Sequence, residues 1–544
     1  MPTLDGQDIP ARSTADAVAA SLAAAGVGSI FAYPGDPTIE FMECSRRRGI
    51  DVVLGRREGT AAFMAEAQAM ATGQVGVCVS TLGPGSTALV NGVAAATLDR
   101  VPMIAISGQI ETAREAFFTH QVVDHGRLYA PVTKWAGRIE AGAVGPTMRK
   151  ALRTATAERP GAVHLTGAAD TFRAPAAPDD APAPPLTAGG TIQVHRAAGG
   201  PDPLDLLTRA RRPLLLAGIA ATRCEAGPAL QRLAETVGMP IVVAPMAKGV
   251  VPENSPWFAG VLDMACNDRM WELLASSDLI VAAGFDPVEL IKPWKLTVPV
   301  LHADTTANTD QVYASQVEMV GDVAAIADWL ADGFAGEGRW PAADVARFRR
   351  GLLDDYYAGR VSGRLNPTDV VDVARAACPE TTIATTDVGS HKLLVGQGWQ
   401  THRPRSVLMT NGLSAMGFGL PAAIAAKLTF PDRPVIALIG DGGFAMTATE
   451  LSLAASRGLG VAVVVFVDGS LNRIELKQSA LGYPSTATRI EDIDLVTLAA
   501  ALGCDGARAE STAELEKCLA AVGDLSRPLV VEARIDPAQY ESQF

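Results

Sequence analysis

Two carboxylates stand in this chain where an anion-binding turn is expected. Within Val435–Gln478 an apolar run ends in Gly440-Asp441-Gly442-Gly443, and a helical pattern over about Met446–Arg457 follows directly. Glycines let the backbone approach a ligand closely, and a helix N-terminus offers free N–H groups to an anion. A carboxylate at that point repels the same anion unless a divalent cation lies between them. Magnesium takes six oxygens in a near-octahedral array, typically from carboxylates, waters and phosphates. The second protein ligand is therefore expected at the end of a neighbouring strand. Val461–Val467 reads as such a strand, and Asp468-Gly469-Ser470 follows it, placing Asp468 27 positions after Asp441. A GDG triplet alone is more often a tight strand–helix turn. The matching carboxylate after the next strand shifts the reading to a metal held against a phosphate.

Other residues carry chemistry in less defined settings. Glu58, in GRREGTAAFMAEA, follows the strand pattern Asp51–Leu54 and precedes a helical pattern over Thr60–Thr72. Taken alone it reads as a surface partner of Arg56 and Arg57. In NRIELKQ, Arg473 and Lys477 are four apart and share a helix face. They read either as a pocket for an anionic group or as solvated side chains paired with Glu475 and nearby acids. The seven cysteines are scattered, odd in number and without a CxxC pair, which reads as buried small apolar residues in a reducing compartment.

The elements that must position these residues fall into three blocks. The first, about Thr14–Thr171, opens with a helix capped by Thr14 and stopped at Gly26, then alternates short apolar strands (Ser29–Tyr33, Val75–Ser80, Met103–Ser107) with alanine-rich helices. The second, about Gly200–Asp332, repeats the rhythm with strands at Pro213–Gly218, Pro240–Ala244, Leu279–Ala283 and Val298–His302. The third, from Asn366, has strands at Thr382–Thr385, Val435–Ile439, Val461–Val467 and Leu529–Ala533. Strand and helix in alternation predict an α/β fold of three doubly wound parallel-sheet domains. The expected boundaries are 1–173, a Pro/Ala-rich linker over 174–199, a Rossmann-like domain over 200–335, a helical connector over 336–365, and a last domain over 366–544. A net charge of −13 argues against a partner bound through nucleic-acid phosphates. The N-terminus has no secretory pattern and the longest apolar run is far too short for a bilayer, so a cytoplasmic protein without membrane association is expected.

The GDG motif followed by a strand with an Asn- or Asp-containing loop resembles the thiamine-diphosphate-dependent enzymes. THQVVDHGRLYAPVTK (119–134) and the Asp at 468 are similar to the FAD-free, catabolic acetolactate synthases, and the resemblance covers nearly the whole chain. It implies thiamine diphosphate with Mg2+, held by Asp441, Asp468 and the Ser470 carbonyl. Ser390 and His391, in TTDVGSHK, with Gly440, Gly442 and Gly443, are then expected at the diphosphate. Met416 would support the bent cofactor, and the Ser414 carbonyl would accept from its 4′-amino group. Glu58 becomes the acid at the pyrimidine N1′, which makes that amino group an internal base. Tyr33 and Pro84 line the pyrimidine pocket, and Gln121 stands near the reacting carbon. A departure is Ala88, where many relatives have Asn. Asp36, His120, Arg473 and Lys477 are assigned to the substrate pocket. The resemblance also implies a homodimer or homotetramer with active sites at the subunit interface.

The expected reaction is decarboxylation of a pyruvate-like 2-oxo acid with joining of the remaining fragment to a second carbonyl. Asp36, where catabolic synthases have a basic residue close by, and Lys477, in place of a neutral or aromatic residue, leave two rivals open. These are a simple 2-oxo-acid decarboxylase and a carboxyethylarginine-synthase-like enzyme. From other classes, a flavin or nicotinamide oxidoreductase is disfavoured because Ala217-Gly218-Ile219-Ala220 replaces a GxGxxG turn. A non-catalytic cofactor-binding regulator is disfavoured because it has no need of Glu58.

Overall fold

The computed structural model describes residues 12–177 and 191–544. These form two compact units, divided near residue 188. The first carries one sheet: β1 (Ser29–Tyr33), β2 (Asp51–Leu54), β3 (Gly76–Ser80), β4 (Met103–Gln109), β5 (Trp135–Arg138) and β6 (Ala162–Ala168), in the order β2-β1-β3-β4-β6-β5, all parallel. The central strands are buried along their whole length, as expected when helices cover both faces.

The second unit carries two sheets. In its first, β7 (Gln193–Arg196), β8 (Pro213–Ala217), β9 (Ile241–Val243), β10 (Phe258–Val261), β11 (Leu279–Ala283), β12 (Val300–Asp304) and β13 (Ser315–Val320) lie in the order β10-β9-β8-β11-β12-β13-β7. Without β7, which pairs antiparallel with β13, this is the doubly wound order of dinucleotide-binding domains. In the other, β14 (Ile383–Thr386), β15 (Val407–Leu408), β16 (Val435–Gly440), β17 (Val461–Val467), β18 (Asp505–Ala509) and β19 (Leu529–Arg534) run β15-β14-β16-β17-β19-β18. That order repeats the sheet of the first unit strand for strand. The two cofactor-binding blocks expected from the sequence thus share one topology.

Several sequence expectations need correction. Ser13, not Thr14, caps the first helix, its hydroxyl accepting from the Asp16 N–H. The helix expected from Thr60 starts at Glu58 itself. The helix expected from Met446 starts at Asp441, runs to Thr447, and breaks in a 3-10 turn before Leu451–Ser456. Gln193–Arg196, expected in a linker, is a strand; the part of that linker at 178–190 lies outside the described residues. All seven cysteines are free; Cys44, Cys78, Cys378 and Cys504 are buried and the other three half-buried. Among the described residues no helix is long and apolar enough to cross a membrane.

Candidate active site

In a doubly wound sheet, ligands gather beyond the carboxyl ends of the strands where the order reverses. In the first unit that point lies between β1 and β3. Tyr33 ends β1 and is partly exposed, and Asp36 follows in a 3-10 turn, also exposed. Beyond β3 the chain turns at Gly83 (φ +53°) into the helix Pro84–Leu98, with Pro84 at its first position. A side chain at Gly83 would meet the carbonyl oxygen of Gln121 at 2.6 Å, so Gln121, itself at φ +60°, packs against Gly83. Glu58 opens the helix Glu58–Thr72, and its Oε1 lies 3.1 Å from where a Cβ on Gly85 would stand. Tyr33, Glu58, Pro84 and Gln121 therefore belong to one end of one sheet. His120 is exposed, with its ring edge-on to Phe118.

Glu58 is half-buried, and Arg56 Nη1 donates to the Leu54 carbonyl at 2.9 Å. The helix of Glu58 is laid closely along Pro84–Leu98. A Cβ at Gly92 would stand 2.3 Å from that of Ala62, and one at Gly59 3.3 Å from the Ala88 carbonyl. Small residues at 59, 62, 88 and 92 thus set the spacing of the two helices that carry Glu58 and Pro84.

In the second unit the equivalent reversal lies between β14 and β16. After β14 comes Asp387-Val388-Gly389 and the helix Ser390–Gly398; after β16 comes Asp441-Gly442-Gly443 at the start of its own helix. The Gly440 N–H donates to His391 Nε2 at 3.2 Å. Burial, and then the neighbouring Lys392 charge, push His391 down to about 3, so the imidazole is neutral. Ser390 Oγ donates to Asn472 Oδ1 at 2.6 Å, tying this helix start to the one after β17.

Asp441 and Asp468 end adjacent parallel strands. Asp441 accepts from the N–H of Gly469 at 2.8 Å and of Gly442 at 2.8 Å, and Asp468 accepts from the Ser470 N–H at 3.0 Å. Burial, and then the charge of Asp441, raise Asp468 to about 7. Burial also raises Asp441. Two carboxyl groups this close hold a full double charge at low cost only with a cation beside them. Among the described residues no group of three His, Cys, Asp or Glu side chains converges as a self-sufficient metal site. Two carboxylates with neighbouring backbone oxygens, completed by phosphate and water, would suit a hard cation such as Mg2+.

Both carboxylates, Ser390, His391, Ser414, Met416, Gly440, Gly442, Gly443 and Ser470 line one cavity of about 590 Å3. Ser414 is held at φ +53°, its hydroxyl on the Asn411 carbonyl. Met416 Cε stands 3.3 Å from a Cβ position on Gly442. Arg473 and Lys477 are both exposed on the helix Asn472–Ala480, and of the two Arg473 lines the same cavity while Lys477 does not. The expectation that both converge on one centre is therefore corrected. Nor does Arg473 pair with Glu475, which instead binds Arg489 at 2.6 Å and accepts from the Ser470 hydroxyl. Desolvation holds the Arg473 guanidinium below its ordinary value, and its carbon lies 4.7 Å from the Phe544 ring centre.

Three residues of the site escaped the sequence reading. Asp387 is buried, raised to about 6 by that burial, and accepts from the Gly417 N–H at 2.9 Å, fixing the loop that bears Met416. Asn472 anchors Ser390, and Lys392 Nζ donates to the Thr410 carbonyl and Asn411 Oδ1. Asp387 had a readable signal: like Asp441, it is an acid directly after a strand with a glycine close behind, here Gly389. At the reversal point of the Rossmann-ordered sheet, between β8 and β11, the chain's own Glu289 carboxylate accepts from the Ile219 N–H at 2.9 Å.

Comparison with known proteins follows this geometry. The chain matches the thiamine pyrophosphate enzyme N-terminal TPP binding domain over residues 12–128, the central domain over 202–330 and the C-terminal TPP binding domain over 387–533. It is 31% identical to the probable acetolactate synthase large subunit of Methanocaldococcus jannaschii, covering 96% of this chain and 92% of that one. It is 30% identical to the catabolic acetolactate synthase of Raoultella terrigena, covering 96% and 95%. Similarity to the probable 2-ketoarginine decarboxylase AruI of Pseudomonas aeruginosa is 29%, covering 94% and 92%.

Proposed function

Since the chain belongs to the thiamine pyrophosphate enzyme family, we propose that it decarboxylates a pyruvate-like 2-oxo acid and joins the remaining fragment to a second carbonyl compound, as an acetolactate synthase does. Thiamine diphosphate, when bound, supplies a carbon nucleophile and a sink for the electron pair left by carbon dioxide. Asp441, Asp468 and the Ser470 carbonyl would hold Mg2+, and Ser390, His391 and the N–H groups of Gly442 and Gly443 would receive the diphosphate. Met416 would support the cofactor, and the Ser414 carbonyl would accept from its 4′-amino group. Glu58 would hold and return the proton at the pyrimidine N1′, and Tyr33 and Pro84 would enclose that ring. Gln121, with His120 and Asp36 further out, borders the substrate.

The observation that carries this reading is the pair of half-buried carboxylates at adjacent strand ends, facing one cavity with a helix N-terminus. We further propose a cytoplasmic homodimer or homotetramer in which each site takes Glu58 from one subunit and Asp441 from another. The similarity to a 2-ketoarginine decarboxylase favours a second reading, release of an aldehyde without ligation. Protein stripped with chelator is assayed for carbon dioxide release from pyruvate, with and without thiamine diphosphate and Mg2+, with products identified by mass spectrometry. Release that needs both supports the class, and a hydroxy-oxo acid rather than an aldehyde supports ligation. No binding of thiamine diphosphate by calorimetry refutes the reading.

A further inference from the structure

We propose that Arg473 is the specificity-determining cation of the pocket and that it binds a substrate carboxylate which survives the reaction. This rests on the decarboxylation and ligation proposed above. Three observations single it out. It lines the cavity that holds Asp441 and Asp468, one turn beyond the Ser470 loop. It has no carboxylate partner among the described residues, because Glu475, two positions on, is engaged by Arg489. The other long cations of the cavity are committed: Arg269 to Asp355, Lys292 to Asp268 at 2.8 Å, and Lys392 to the Thr410 carbonyl. The Phe544 ring lies over the guanidinium. Contact through that face leaves the in-plane N–H fork for another group, and a planar carboxylate is its natural match.

The chemistry decides which carboxylate this is. In the first step the bond between C1 and C2 of the 2-oxo acid breaks, carbon dioxide leaves, and the electron pair stays on C2. A cation gripping that carboxylate stabilises the charged ground state more than a transition state on the way to neutral carbon dioxide, and so slows the step. An unpaired arginine helps only a carboxylate that keeps its charge. In the second step C2 bonds to the carbonyl carbon of the acceptor, whose oxygen takes up one proton. One carbon–carbon bond is broken and one made, with one carbon dioxide released and one proton consumed. A carboxylate on the acceptor, or a second carboxylate at the far end of the donor, passes through unchanged.

The test compares holoenzyme of wild type, Arg473→Gln and Arg473→Lys. With pyruvate as donor, 2-oxobutanoate competes with propanal as acceptor, and products are counted by mass spectrometry. In a second arm 2-oxoglutarate and 2-oxopentanoate compete as donors. A charged hydrogen bond to a carboxylate corresponds to roughly a 10- to 100-fold preference. Arg473→Gln is expected to lose that preference in one arm, and Arg473→Lys to recover part of it; each arm reads a ratio of two products formed in one mixture, so the outcome does not depend on the total rate. Loss in the first arm places the carboxylate on the acceptor, and loss in the second on the donor. Unchanged ratios in both arms overturn the role of Arg473 and leave the proposed reaction standing. If wild type releases no carbon dioxide from any of these acids, the proposed reaction fails instead. Calorimetry with oxamate then decides Arg473: equal affinity in wild type and Arg473→Gln overturns it, and a drop of the size above upholds it.

Discussion

Glu58 stands half-buried at the first position of its helix, with Oε1 turned toward the Gly85 seat of the neighbouring helix. Glu58→Gln keeps the shape and removes the proton transfer. Turnover is expected to fall about 10^2- to 10^4-fold, with thiamine diphosphate affinity and thermal midpoint nearly unchanged; a variant within a few-fold of wild-type turnover removes Glu58 from the mechanism. Glu289 shows the opposite case, a carboxyl held for structure. Burial raises it to about 8, Oε2 accepts from the Ile219 N–H, and Oε1 meets no donor, as suits a protonated acid. The folded chain keeps this proton where the unfolded chain has lost it. Its contribution to stability therefore falls as pH rises from the ordinary carboxylate range to about 8, by at most about 1.4 kcal/mol per pH unit. Glu289→Gln should gain stability relative to wild type as urea midpoints are measured at rising pH over that window. A difference that stays constant with pH means Glu289 is ionised in the folded chain.

At the scale of elements, the helix pair Glu58–Thr72 and Pro84–Leu98 makes separable predictions from two glycines on one helix. Gly92→Ala sets a methyl 2.3 Å from Ala62 Cβ, which only separation of the helices relieves. It is expected to cost about 1–3 kcal/mol of stability, read as a lower denaturation midpoint. Gly85→Ala sets one 2.7 Å from the Thr81 methyl and 3.1 Å from Glu58 Oε1, both ends of side chains that can give way. Its expected effect is on turnover, on the order of 10- to 100-fold through a displaced carboxylate, with a smaller loss of midpoint. If Gly85→Ala loses stability and keeps full turnover, the carboxylate does not depend on that helix seat. The same elements show what the sequence could disclose. Buried strands such as Val461–Val467 and Leu279–Ala283 are legible because a continuous apolar run between turn residues has few other uses. β7 is not, since all four residues of Gln193–Arg196 are exposed on a polar edge and carry no pattern. Glycines at 440, 442 and 443 read as a turn, while the structure winds Asp441–Thr447 into helix. The two acids proposed as metal ligands follow adjacent strands, as the spacing along the chain predicts. Asn472 was not legible, because it acts through a hydrogen bond to Ser390 that exists only once β14 and β17 share a sheet.

At the scale of the whole molecule, the first and last sheets share one strand order, and the proposed reaction draws on the same reversal point of each. One carries Glu58, the other the two acids proposed to hold the metal, and neither set alone completes that reaction. Sequence periodicity cannot reveal this equivalence, because strand order is set by packing between distant segments. If each site takes one set from each of two subunits, inactive chains should complement one another. In a dimer of one Glu58→Gln chain and one Asp441→Ala chain, one site carries both defects and the other carries neither. Random pairing of equal amounts makes half the dimers mixed, each with one intact site of two, so recovery should approach about a quarter of wild-type activity. The chains are mixed, exchanged under mild denaturant, and assayed against each variant alone. Recovery near that level supports sites shared between subunits. Activity no higher than the separate variants, in samples that mass spectrometry shows to contain mixed oligomers, places Glu58 and Asp441 of each site on the same chain.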